Sequence, residues 1–138
     1  MKILVCTDGS DYAEKAVKAG AVAAKYFDFE ITLLNVIEDT VTYENFPSDP
    51  GFLIRKEKAE AILARAKRIV EEVDKEIKCD VKLAYGPVSS HIVRIAELGG
   101  YDGIFVGTKG TKGIKRMLLG DVADDVIRHA HCPVTVVR

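Results

Sequence analysis

Residues 2–27 read KILVCTDGSDYAEKAVKAGAVAAKYF, and this stretch decides the fold. Lys2–Cys6 is a short apolar run rich in β-branched and aliphatic residues, which predicts a strand. Thr7-Asp8-Gly9-Ser10 then breaks it. Ser10 is suited to cap a helix by accepting from a free backbone N–H, and Asp11 suits the helix's positive end. From there Ala13, Ala16, Val17, Gly20, Ala21, Ala24 and Phe27 recur at helical steps. They make one face of small residues that can approach a sheet closely.

Strand and helix keep alternating outward from this unit. Residues 30–37 (EITLLNVI) predict a second strand, and residues 39–51, with Tyr43 and Phe46, a turn-rich loop that is either a plain solvent loop or one that covers a pocket or supports a subunit contact. Residues 56–77 predict a helix on the stripe Ile62, Ala66, Ile69, Val73 and Ile77, joined by Leu63 and Val70, with a charged solvated face opposite. Residues 80–85 predict a third strand. Pro87 suits a first helical position, and Val88, His91, Ile92, Ile95 and Ala96 form a helical stripe that Gly99-Gly100 stops. Residues 103–106 predict a fourth strand, 121–130 a last helix and 133–137 a fifth strand. This pattern implies an α/β fold, a three-layer open doubly wound sheet of five parallel strands in the order 3-2-1-4-5. Ligands of such sheets bind outside the carboxyl ends of the strands where the order reverses, here between strands 1 and 4.

Composition sets the remaining bounds. The chain has 138 residues, with 20 basic and 21 acidic side chains and 48% apolar residues, as expected of one globular domain over residues 1–138. A net charge of −1 argues against a nucleic-acid partner. No run is long enough to span a membrane, and Ile3-Leu-Val-Cys6 is too short for a signal-peptide core, so the expected compartment is the cytoplasm. Cys6, Cys79 and Cys132 are widely spaced and read as small buried hydrophobes rather than a disulfide framework or zinc site.

Residues 107–113 (GTKGTKG) lie between a strand and a helix. Glycines there let backbone N–H groups approach phosphate oxygens. The last helix, from Gly120-Asp121-Val122, adds amide donors, and Lys109, Lys112, Lys115 and Arg116 add cations. Neither a P-loop nor a dinucleotide fingerprint is present.

Gly107-x2-Gly110-x9-Gly120 resembles the phosphate-binding pattern of the universal stress protein family, Gly-x2-Gly-x9-Gly-[Ser/Thr]. ILVCTDGS is similar to that family's first strand, LLNVI to its second and HCPVTVVR to its closing strand. The resemblance implies an adenine nucleotide alpha hydrolase-like fold, an adenine nucleotide (ATP or AMP) as ligand, and a homodimer through Val134–Val137. It implies Asp8 and Thr7 at the adenosine, with Asp8 near the ribose or base, and Val36 against the adenine. It implies Gly107, Lys109, Gly110, Gly120, Asp121 and Val122 at the phosphates. The family also has members that bind no nucleotide.

Asp121 departs from the pattern, where ATP-binding members have Ser or Thr. A carboxylate accepts hydrogen bonds only and cannot donate to a phosphate. At about 4 Å and an effective dielectric near 20, its repulsion of a phosphate charge is roughly 4 kcal/mol, about a thousandfold in affinity. The lysines or a Mg²⁺ bridging Asp121 and the phosphates would offset it. The expectation is therefore adenine-nucleotide binding with weakened or metal-dependent triphosphate affinity, no catalytic residue and at most slow hydrolysis. The competing reading is a dimeric interaction module without nucleotide. A phosphoryl-accepting receiver domain is set aside, because strand 3 ends in Ala84-Tyr85-Gly86 without a phosphorylatable Asp. His129 and His131 are two residues apart and share no helix face, so they form no metal pair.

Overall fold

The first strand–turn–helix unit forms as its sequence dictates. Strand β1 (Lys2–Cys6) leads into helix α1 (Asp11–Phe27), whose N-cap Ser10 accepts from the Ala13 amide at 3.3 Å. The structure is a computed structural model that describes residues 1–38, 50–109 and 120–138. Its further elements are β2 (Glu30–Glu38), α2 (Pro50–Val73), β3 (Cys79–Gly86), α3 (Val88–Leu98), β4 (Gly103–Gly107), α4 (Asp121–His129) and β5 (Val134–Val137). The five strands are parallel in the order β3-β2-β1-β4-β5, so the sheet order reverses between β1 and β4 as the sequence implies.

Alternation along β1 divides the core. Ile3 and Val5 join Leu33 on β2, Val17 and Ala21 on α1, and Leu63, Ala66 and Val70 on α2. Leu4 joins Leu34, Ile104 and Val106 against Ile92 and Ala96 on α3 and Ala123 and Val126 on α4. The small-residue stripe of α1 is used: a Cβ on Gly20 would stand 2.8 Å from Val5 Cγ2, so the helix packs onto the strand only because that residue lacks one.

Helix α2 differs from its expected span at both ends. It starts at Pro50, whose fixed φ suits a first helical position. It stops at Val73 because Asp74 turns its side chain onto the backbone, with Oδ1 accepting from Glu76 N at 2.9 Å. Ile77 still packs against the core, but from the turn beyond the helix. Pro87 is the N-cap of α3 rather than its first residue. The loop expected over 39–51 lies outside the described residues up to 49, Tyr43 and Phe46 included.

Candidate functional site

The exit of β1 is a chain of local hydrogen bonds. Thr7 N donates to Leu34 O at 2.9 Å, which extends the pairing with β2 by one residue. The buried Asn35 amide donates to Thr7 O at 2.8 Å. Beyond it, Thr7 Oγ1 accepts from Gly9 N (3.2 Å), Asp8 Oδ1 from Ser10 N (2.9 Å) and Ser10 Oγ from Ala13 N. Gly9 has φ +82°, which lets the chain turn tightly into α1. Asp8 is exposed at the strand exit, whereas Thr7 is buried beneath it. On the neighbouring strand Val36 is half-buried, paired with Ala84 and packed on the α3/α4 side.

The exit of β4 is built against α1. A Cβ on Gly107 would lie 2.8 Å from the Tyr12 carbonyl carbon and 2.9 Å from Ala13 N. Those obstacles are backbone, so glycine is required for the first turn of α1 to meet the end of β4. Thr108 is buried; its N–H donates to Val137 O at 2.8 Å and its carbonyl accepts from Gly120 N. That last bond brings the first and last glycines of the pattern to one place. Lys109 is half-buried, with Nζ 6.0 Å from the centroid of the Tyr12 ring; Lys15 Nζ stands 5.2 Å from the same centroid. Gly110, Lys112, Lys115 and Arg116 lie outside the described residues.

Helix α4 opens with Gly120 as N-cap and no side-chain cap bond. Asp121 is therefore the first helical residue, as the expected span of 121–130 has it, and it is exposed. Val122 is 38% exposed beside it. The two other carboxylates of this end are engaged: Asp124 Oδ2 accepts from Arg128 Nε (3.1 Å) and Asp125 Oδ2 from Ser89 Oγ (3.2 Å). No partner is found for Asp121 among the described residues.

The sequence-derived residues thus fall into two neighbouring groups. Thr7, Asp8 and Val36 stand at the ends of β1 and β2, and Gly107, Lys109, Gly120, Asp121 and Val122 stand at the end of β4 and the start of α4. Asn35 and Tyr12 belong to the same constellation and were not singled out from sequence. Asn35 carried a signal as the one polar residue within the otherwise apolar stretch LLNVI. Nothing in the sequence marks Tyr12, because its role comes from a contact across the sheet.

The other polar groups hold structure. Burial pushes the Cys6 thiol far above its ordinary value and Cys79 up to about 11, and desolvation raises Cys132, so all three act as packed neutral thiols. His91 lies against Gly86, while His129 Nδ1 stands 2.9 Å from the Asp125 carbonyl and His131 pairs with Glu97. A cleft of about 240 Å³ opens beside Thr7 and Gly9, and the ion-paired Glu14 and Arg65 are among its lining residues.

A doubly wound parallel sheet whose strand order reverses between β1 and β4 defines the class of open α/β folds. The chain belongs to the universal stress protein family, whose sequence profile matches residues 1–138. A universal stress protein of Methanocaldococcus jannaschii is 36% identical over 141 residues, spanning 99% of this chain and 81% of that protein. The solved structure of a universal stress protein from Lactobacillus plantarum superposes with a TM-score of 0.78 at 26% identity, covering 100% of this chain and 97% of that one. Two more distant structures share the fold. One is a universal stress protein in complex with cAMP (TM-score 0.75, 22% identity, 100% and 96% covered). The other is a universal stress protein from Archaeoglobus fulgidus in complex with dAMP (TM-score 0.75, 21% identity, 100% and 98% covered).

Proposed function

We propose that this universal stress protein binds an adenine nucleotide across the exits of β1 and β4 and acts as a nucleotide-responsive regulator rather than as an enzyme. The observation that carries the reading is the Gly120 N–H to Thr108 carbonyl bond, which sets the amide end of α4 beside the exit of β4. The cAMP and dAMP bound by two proteins of the same fold support an adenine nucleotide as the ligand. In this reading Asp8 and Thr7 face the adenosine and Val36 packs on the adenine. Gly107, Lys109, Gly110, Gly120, Asp121 and Val122 surround the phosphates. Amides at a helix N-terminus and glycine backbone supply donors without a Cβ in the way.

Asp121 sets the metal dependence. Its carboxylate is exposed and has no protein partner among the described residues, which fits a Mg²⁺ shared with phosphate oxygens and water. Exposure also shrinks its repulsion. In water two charges about 4 Å apart interact by about 1 kcal/mol, which is about fivefold in affinity rather than a thousandfold. Asp121→Ser is therefore expected to tighten ATP binding about fivefold without Mg²⁺, with little change when Mg²⁺ is present.

The protein is proposed to act in the cytoplasm as a homodimer through β5, with no nucleic-acid partner. No helix among the described residues is long and apolar enough to cross a membrane. Among the described residues both edge strands have a neighbour on one side only, but β3 carries exposed Asp80 and Lys82, whereas β5 reads Val-Thr-Val-Val. Uncharged edges invite pairing, and charged ones resist it.

Calorimetric titration of nucleotide-free protein with ATP, with and without Mg²⁺ and in competition with AMP, tests the reading. Micromolar binding is expected. Absence of heat and of competition would favour the second reading, a dimeric interaction module in which Asp121 closes the phosphate site.

A further inference from the structure

We propose that Tyr12 is a positioning residue for Lys109 and so tunes the site toward nucleotides with more phosphates. The inference rests on the nucleotide-binding reading above. Its basis is a contact between two segments far apart in sequence. Gly107 has no Cβ, and the space one would fill is occupied by the carbonyl of Tyr12 and the amide of Ala13. The first turn of α1 is thereby fixed against the strand exit, two residues before Lys109. The Tyr12 ring projects from that turn, and the Lys109 ammonium sits 6.0 Å from its centroid. This is the outer reach of a cation–π attraction, which favours the ammonium over the ring face.

A lysine side chain has rotamers to lose when it meets a phosphate. An aromatic ring that already holds the ammonium near the crevice removes part of that loss before the ligand arrives. Lys15 lies over the same ring at 5.2 Å, but it belongs to α1 and not to the glycine pattern. The ring therefore ties the helix that leaves β1 to the lysine that leaves β4. Because Lys109 acts on charge, the effect falls on the phosphates and spares the nucleoside.

A double-mutant cycle read by calorimetry tests this. Tyr12→Leu keeps apolar bulk and is expected to weaken ATP binding about two- to fivefold, with adenosine binding unchanged. Tyr12→Phe keeps the ring and is expected to match the wild type. In a Lys109→Met background Tyr12→Leu is expected to have no further effect on ATP, whereas in a Lys15→Met background its effect persists. Equal losses for ATP and adenosine, or an undiminished Tyr12→Leu effect without Lys109, would overturn the assignment while leaving nucleotide binding intact. A wild-type protein that binds no ATP would overturn the nucleotide reading and this assignment together.

Discussion

The two helices that leave the crevice strands start from almost the same backbone and treat their first amides in opposite ways. Ser10 caps α1 at φ −69°, ψ 162°, and Gly120 caps α4 at φ −73°, ψ 162°. The Ser10 hydroxyl accepts from the Ala13 amide, the Asp8 carboxylate from the Ser10 amide and the Thr7 hydroxyl from the Gly9 amide. Gly120 has no side chain to spend, and its own N–H binds Thr108. A negative φ at Gly120 is open to any residue, so backbone freedom does not call for glycine there. What glycine gives is access: the first-turn amides of a helix have no partner within the helix, and at α4 no cap side chain among the described residues covers them. Among the described residues, one helix start thus satisfies itself and the other leaves its first amides without a cap side chain.

Substitutions separate the two ends. The largest effect is expected where they touch, at Gly107. A methyl group there meets the Tyr12 backbone, which cannot move without shifting α1. Gly107→Ala should cost about 2 kcal/mol and lower the melting temperature by about 5–10 °C, with loss of ATP binding. Unchanged melting would mean that the close approach of α1 and β4 does not govern the site.

At the caps the signs should diverge. Ser10→Ala removes a used cap and should cost about 1 kcal/mol in denaturant unfolding. Gly120→Ser installs a hydroxyl on a backbone already suited to it and should stabilise the fold by a few tenths of a kcal/mol. The same hydroxyl competes for the α4 amides, so ATP binding should weaken. Tighter ATP binding by Gly120→Ser would contradict the idea that open amides serve the ligand.

A pH-dependent effect concerns the edge of the sheet, at the start of β3. The Cys79 thiol rises from 9.0 to about 11 through desolvation beside β2. The folded state therefore holds its proton more tightly than the unfolded chain does. Its contribution to stability is complete below pH 9, declines above it, and is gone by about pH 11. Unfolding free energies of wild type and Cys79→Ala should converge across that window, and a constant difference would sink the assignment.

The fold was largely legible because its signals are local. The apolar run of β1, the Ser10 cap and the small-residue stripe of α1 each agree with the others, and such consistency specifies a structure. The strand order followed from placing the two glycine-bearing turns at one switch point. Boundaries failed where two signals competed. Asp49-Pro50 reads as a turn, yet proline also opens a helix, and α2 begins there. Asp74 is compatible with a continuing charged face, but its side chain bonds the following turn and ends the helix. The site was legible in part. Asp8, Gly107 and Gly120 lie at the exits of β1 and β4 and the start of α4, where the strand and helix pattern puts them, and Asp121 opens the last helix as expected. Gly107 illustrates the limit most clearly: the pattern assigns it to phosphate, and the structure adds a packing demand from Tyr12, 95 positions away in the 138-residue chain.

The most direct test of the account is to follow backbone amide resonances as ATP and Mg²⁺ are added to nucleotide-free protein. The account predicts that the largest shifts fall on Gly107–Lys109 and on Gly120 through Ala123. The Ser10 and Ala13 amides, held by their own cap, should move much less. Shifts concentrated instead in the cleft between α1 and α2, around Ile62 and Arg65, would contradict it, as would equal shifts at both helix starts.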